Sequence, residues 1–355
     1  MYNFLTELTG NEIIAAFISA MLPVVFIVPF VIFGVLAERK VSAHIQDRLG
    51  PMRVGYHGVL QTVADFFKLI QKEDIIAEGA DRKFFNLAPY LVFVGSYAVY
   101  AALPFTSTYI GSETDIGLFY IIAVSGFAVA GILMGGWASN NKYSLYGALR
   151  SAAQIVSYEI PTALVILSMV MLTGTLSLAT MSEMQTAYFW NWNIFGGAEW
   201  AFTKLLLIPF MFIAFIILYI STLAEVNRLP FDMPEAESEL VAGYSTEYSG
   251  MKFAMFFLAE YGNMFAVSAL VSVIFFGGYQ SPFGYLGNSL GLQWLIPYEQ
   301  LFWFALKGIL FVLVQMWLRW TLPRVRVDQL MTICWKYLIP YSFANLIIIG
   351  LITLL

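Results

Sequence analysis

Long apolar runs alternate with short polar segments along most of this chain. A helix of about 20 apolar residues crosses roughly 30 Å of hydrocarbon. Eight runs meet that requirement, at about residues 12–37, 88–106, 117–137, 151–173, 201–223, 252–277, 299–320 and 337–355. Between the first two, the period changes. From Gly58 to Gln71 the apolar residues Val59, Val63, Phe66, Phe67 and Ile70 recur at helical spacing, while Gln61, Asp65, Lys68 and the adjacent Lys72 share the other face. That pattern predicts a helix lying in the membrane surface, apolar side toward lipid. The fold class expected is an all-α polytopic membrane protein with about eight transmembrane helices plus an amphipathic surface helix in the first cytoplasmic loop.

The basic residues orient this bundle. Arg39, Lys40, Arg48, Arg53, Lys68, Lys72, Arg82, Lys83, Lys142, Arg150, Arg228, Lys252, Arg319, Arg324, Arg326 and Lys336 fall in or beside the first, third, fifth and seventh loops; only Lys204 and Lys307 lie elsewhere. By the positive-inside rule, loops at about 38–87, 138–150, 224–251 and 321–336 are cytoplasmic, and both termini face the other side. No internal repeat divides the chain, so residues 1–355 are read as one membrane domain. Glu7 and Glu12 precede the first run where a cleaved signal would be basic, which predicts a retained helix. Tyr188, Trp190, Trp192, Trp200, Tyr279, Tyr285, Trp294 and Tyr298 crowd the two long outer loops and read as headgroup-level anchors.

Composition narrows the chemistry. The chain is 60% hydrophobic and 12% charged, about half the charge of a soluble domain. Its net charge of −5, with no Lys/Arg run, gives no reason to expect nucleic acid. Cys334 alone can make no disulfide and hold no iron–sulfur cluster, His44 and His57 are the only histidines, and no metal, nucleotide or flavin motif occurs. Redox chemistry would have to come from a partner or a diffusible molecule.

Carboxylates carry the chemistry that remains. Glu159 and Glu260 fall inside predicted spans, where an ionisable residue costs ~2.5 to 3.5 kcal/mol and usually faces a bundle interior or a water path. Pro161 cannot donate to the carbonyl of Ser157, so a polar backbone group should be freed beside Glu159. The stretch AEVNRLPFDMPEAESELVAGYSTEYSG, residues 224–250, adds Glu225, Asp232, Glu235, Glu237, Glu239 and Glu247. Pro230 and Pro234 stop the fifth span from continuing and should fold this segment against the bundle mouth; Glu235 and Glu239 would share a helical face, with Glu237 off it. Crowding and desolvation both disfavour ionisation. A solvated acidic loop is the plain reading of the charges; leading to Glu159 and Glu260, they read better as a proton-accessible chain. A cation/proton antiporter would also suit buried glutamates, but it lacks a mid-span lysine unless Lys204 or Lys307 serves, and it lacks inverted repeats.

Five stretches, LAERKVSAHIQDRLGP, LQTVADFFKLIQKED, GGWASNNKYSLYGALRSAAQIVSYEIP, LAEVNRLPFDMPEAESELVAGYSTEYSGMKFAMFFLAEY and LPRVRVDQLM, run in order from about residue 36 to 332. Together they resemble the membrane subunit of respiratory complex I known as the H subunit in bacterial NADH:quinone oxidoreductase and as subunit 1 in mitochondria. The resemblance implies a subunit of a proton-pumping translocase, not catalytic alone, that forms the membrane side of a quinone chamber. It takes quinone as substrate, ubiquinone or menaquinone, and holds no cofactor of its own; iron–sulfur clusters and FMN lie in partner subunits. Implied partners are the quinone-site and iron–sulfur subunits of the peripheral arm, small membrane subunits leading to antiporter-like ones, and lipid, in a bacterial inner membrane with both termini periplasmic. The family's first and sixth helices and its surface helix frame a lipid entrance. Residues matching its chamber are Glu38, Arg39, Asp65, Lys68, Arg319, Arg324 and Arg326; those matching its acidic funnel are Glu225, Glu235, Glu237, Glu159 and Glu260. Met52 and Tyr56 depart from the family's usual Asn and Pro in the first loop. The related subunit of membrane-bound hydrogenases is the nearest alternative.

Overall fold

A computed structural model describes residues 10–111, 114–197, 202–234 and 236–354. Among the described residues, eight helices are long and apolar enough to cross a membrane. They are α1 (Glu12–Ile45), α3 (Arg82–Ala98), α4 (Gly117–Ala138), α5 (Lys142–Thr173), α6 (Phe202–Glu225), α7 (Gly250–Phe275), α8 (Ile296–Thr321) and α9 (Val327–Thr353, with a π-helical turn at Ile333–Leu338). The amphipathic helix is α2 (Gln61–Gln71).

The helices overrun several hydropathy boundaries because their ends are capped by polar side chains rather than ended by polar sequence. Asp81 accepts from the amides of Lys83 and Phe84, so α3 begins at Arg82 instead of near 88. Asn141 accepts from the Tyr143 amide at 2.9 Å, and α5 starts nine residues before the predicted 151. The expected third loop therefore shrinks to residues 139–141, and Arg150 rides on a helix. Likewise α1 runs on to Ile45, which puts Glu38 and Arg39 in its last turns rather than in a loop.

α7 is the most buried of the spans and packs against α1, α2, α3, α6 and α8. α5 packs against α4, α6 and α9. Close approach depends on small residues, as is usual between membrane helices: a Cβ at Gly136 of α4 would stand 2.3 Å from that of Ala148 on α5. The turn before α2 depends on a glycine of another kind. Gly58 has φ +77, and a Cβ there would meet the Pro51 carbonyl oxygen at 2.1 Å. In that loop the departures Met52 and Tyr56 are both exposed, and Lys40 ties the turn to α1 by donating to the His57 carbonyl at 2.7 Å.

α2 leaves Phe66, Phe67 and Ile70 exposed and packs between α1 and α7, the arrangement expected of helices framing an entrance. The aromatic anchors divide. Tyr188, Trp190, Trp294 and Tyr298 are exposed, and Tyr285 is half-buried. Trp192 and Tyr279 are buried core residues instead, packed where Lys307 crosses beneath the indole at 4.3 Å. Trp200 lies outside the described residues.

Candidate functional site

Segment 226–234 folds back into the bundle, as its prolines predict. Val226, Arg228, Phe231, Asp232 and Met233 are all buried. Gln154 of α5 holds it: its side-chain amide lies 2.8 Å from the Ala224 carbonyl and 2.7 Å from that of Phe231. The Val325 amide donates to the Pro230 carbonyl on the other side. Asn227 sits in the left-handed region at φ 55, a conformation asparagine tolerates, and turns the chain so that Arg228 points inward.

Arg228, 3% exposed, is the centre of a buried charge cluster. Its guanidinium pairs with Glu260 of α7 at 2.8 Å and with Glu38 of α1 at 3.2 Å. It lies 4.4 Å over the Tyr261 ring, and the Tyr261 hydroxyl donates to Glu38 at 2.5 Å. Arg319 of α8 donates to the same carboxylate. Burial alone would lower the Arg228 pKa, but the Glu260 and Glu38 charges raise it by more, so the guanidinium stays charged. Desolvating such ions costs several kcal/mol each and is offset only by close, complementary pairing. Two arginines against two glutamates supply that here.

The remaining chamber residues separate into surface groups. Arg39 points away from Glu38 and pairs with Asp65 at 2.5 Å, with Lys68 at 3.5 Å from the same carboxylate. Partial burial raises the Asp65 pKa, yet hydrogen bonding and charge from Arg39, then Lys68, bring it below the usual value. Arg324 lies 3.7 Å from Asp232, beside the buried cluster. Arg326 is exposed and pairs with Asp328 in the first turn of α9; the fold does not bring it to the others.

The glutamates converge. A cavity enclosing about 750 Å³ is lined by Glu159 and Glu225, with Ser96, Ser125 and Thr162 among its polar walls. A second, of about 460 Å³, adjoins it and is lined by Glu225 and Glu260. Glu225, Val226, Asn263, Ala128 and Ile155 belong to both walls. Glu260 thus faces the cavity and Arg228 at once, joining the glutamates to the charge cluster.

Each of the other two carboxylates meets a hydroxyl that has a second acceptor. Thr162 Oγ1 lies 2.6 Å from Glu225 Oε1 and 3.0 Å from the Tyr158 carbonyl. Ser125 Oγ lies 3.1 Å from Glu159 Oε1 and 2.6 Å from the Ile122 carbonyl. A hydroxyl has one proton to donate and can also accept. It donates to an ionised glutamate, or accepts from a protonated one while donating to its own helix. Both protonation states are therefore accommodated without moving a helix. The carbonyl freed by Pro161 is also used: Cys334 donates to the Ser157 oxygen at 3.1 Å, and Tyr158 ties α5 to the Leu330 carbonyl.

The other acidic residues do not join the cavities. Glu239 forms an exposed pair with Arg150 at 2.6 Å, and Glu247 accepts from Asn141. Glu235 lies outside the described residues, as does the side chain of Glu237, whose backbone opens a short helix, Glu237–Leu240. Lys307 donates to the carbonyls of Phe276, Gly278 and Gln280 beyond the end of α7, and Lys204 to that of Trp190. Neither meets the glutamates. Sequence reasoning passed over Arg228 and Tyr261 as site residues; an arginine between a helix-ending glutamate and a proline-bracketed acidic segment was the available signal. Among the described residues no His, Cys, Asp and Glu group has metal-binding geometry.

A family model described as NADH dehydrogenase matches residues 18–350. Similar curated proteins include the NADH-quinone oxidoreductase H subunit of Chlorobaculum tepidum, 51% identical over 335 residues, covering 93% of this chain and 90% of the relative. A second-type H subunit of Cytophaga hutchinsonii is 46% identical, covering 90% of this chain and 94% of its own. The H subunit of Geobacillus kaustophilus is 44% identical over 355 residues, covering 99% and 98%.

Proposed function

This chain belongs to the NADH dehydrogenase family, as a membrane subunit of an NADH-quinone oxidoreductase, and we propose that it forms the membrane side of the quinone chamber and couples quinone reduction to proton translocation. The observation that carries this reading is the pair of adjoining cavities with Glu159, Glu225 and Glu260 on their walls, ending at the Glu38–Arg228–Arg319 cluster.

The isoprenoid tail enters from lipid between α1, α2 and α7, over Phe66, Phe67 and Ile70. The head group approaches the charged ends of α1 and α8, where Glu38 and Arg319 meet, with Arg39, Asp65 and Lys68 at the mouth and Arg324 and Arg326 on the facing loop. Electrons arrive from an iron–sulfur cluster of a peripheral-arm partner; two electrons and two protons convert the quinone to the quinol. Glu260 feels that change through Arg228. At an effective dielectric of ~20, a unit charge ~10 Å away changes a carboxylate's energy by ~1.7 kcal/mol, about one pKa unit. Such a step moves a proton among groups whose hydroxyl partners accept either state, and Glu225 and Glu159 pass it on. Glu235 and Glu237 belong to the acidic approach to Glu225. The small membrane subunits receive the signal and lead to the antiporter-like ones. The membrane is a bacterial inner membrane, with both termini periplasmic and the chain a single membrane domain.

The test replaces Glu225, and separately Glu159, with Gln in assembled complex in vesicles. Quinone reduction and proton pumping should both fall at least five-fold in each. Unchanged rates of both in either variant would refute the coupling role.

A further inference from the structure

The two cavities meet at a polar side chain to which the proposed coupling gives no role. Asn263 lies on α7 one turn beyond Glu260 and lines both. Apart from Glu225, the residues it shares those two walls with are Ala128, Ile155 and Val226, all apolar. On its far side the helix is held from α3: the Ser96 hydroxyl donates to the Ala259 carbonyl at 2.9 Å and the Tyr100 hydroxyl to that of Gly262 at 2.6 Å. No described residue hydrogen-bonds the carboxamide itself, which is left facing the cavities.

A polar group at membrane depth must be satisfied, and a carboxamide facing open space is satisfied by water. It offers two donors and an acceptor, so one side chain can hold water on two sides. It has no charge to gain or lose, so it connects without trapping a proton. With an apolar residue in its place, the junction would be walled by hydrocarbon apart from Glu225, and apolar cavities stay dry.

We propose that Asn263 is a positioning residue that joins the two cavities into one hydrated path by orienting the water through which Glu225 and Glu260 exchange protons. In each exchange one carboxyl releases a proton to the water chain and the other takes one from it, so net charge is conserved. The inference rests on the coupling role of the glutamates proposed above.

The test uses assembled complex in vesicles, with Asn263→Leu, Asn263→Gln and Glu225→Gln in parallel. NADH oxidation by a water-soluble acceptor reports that the peripheral arm is attached and intact. Asn263→Leu should lower quinone reduction and pumping at least five-fold and enlarge the solvent deuterium isotope effect at least two-fold, because proton transfer becomes limiting. Asn263→Gln, which restores the donors and acceptor, should stay within two-fold of wild type in all three. If Asn263→Leu matches wild type while Glu225→Gln is impaired, the inference fails and the coupling reading stands. If both are silent, both fail. Should Asn263→Leu not assemble, Asn263→Val takes its place; normal rates and a normal isotope effect in that variant overturn the proposal.

Discussion

Removing the cation at the centre of the buried cluster is the most informative perturbation of this fold. Arg228→Met keeps an unbranched side chain of similar length but deletes the charge that faces Glu260 at 2.8 Å and Glu38 at 3.2 Å. Arg319 still neutralises Glu38, so the uncompensated group is Glu260. Breaking a buried pair by taking one partner away typically costs ~3 to 5 kcal/mol, two to four orders of magnitude in the equilibrium between the intact and disrupted bundle. If that loss is electrostatic, Glu260→Gln added to Arg228→Met should return ~2 kcal/mol or more, a large coupling in a double-mutant cycle. If it comes from lost packing over the Tyr261 ring, the second change should return nothing. Retention of the subunit in the complex, measured against rising detergent and temperature, supplies the midpoints. A single mutant as robust as wild type, or a double mutant no better than the single, would refute the electrostatic account of the cluster.

Other expectations follow from neighbouring contacts. Thr162→Val removes the hydroxyl 2.6 Å from Glu225 at nearly constant volume, and should slow pumping-coupled quinone reduction several-fold, whereas Thr162→Ser should retain it. The pair of Arg39 and Asp65 is half-exposed, so Asp65→Asn should cost no more than ~1 kcal/mol and less in high salt, read from thermal midpoints across ionic strength. Because the Asp65 pKa is lowered in the fold, its contribution is present above the unfolded value of ~3.9 and is lost as pH falls through the folded one; stability from this pair should vanish only below about pH 4. Gly58→Ala forces a Cβ against the Pro51 carbonyl and should release the turn that seats α2, seen as new protease cleavage between residues 50 and 60 and a raised KM for quinone.

Much of this protein is legible without coordinates because its signals are local. Crossing a bilayer requires about 20 apolar residues in a row, and all eight runs became helices. The amphipathic face of α2 depends only on a 3.6-residue period, and Pro161 necessarily frees the Ser157 carbonyl. Glu159 and Glu260 stood out because a charge inside an apolar run is costly wherever it points. Other features could not be read, since they are settled by residues far apart in the chain. Hydropathy averages ended α1 near 37 and began α5 at 151 because charged residues lower the average, although capping and pairing let the helices continue. Four arginines matched the chamber with equal weight, yet only Arg319 reaches Glu38; Arg39 turns to Asp65, Arg324 to Asp232 and Arg326 to Asp328. Arg228, spread in sequence 190 residues from Glu38, became central only when α1, α7 and the proline-bracketed segment came together. Trp192 and Tyr279 passed from the lipid boundary to the core for the same reason. Composition and period determine which segments must leave water, but which charges end up beside one another depends on packing, because a desolvated ion is stable only where the fold delivers its partner.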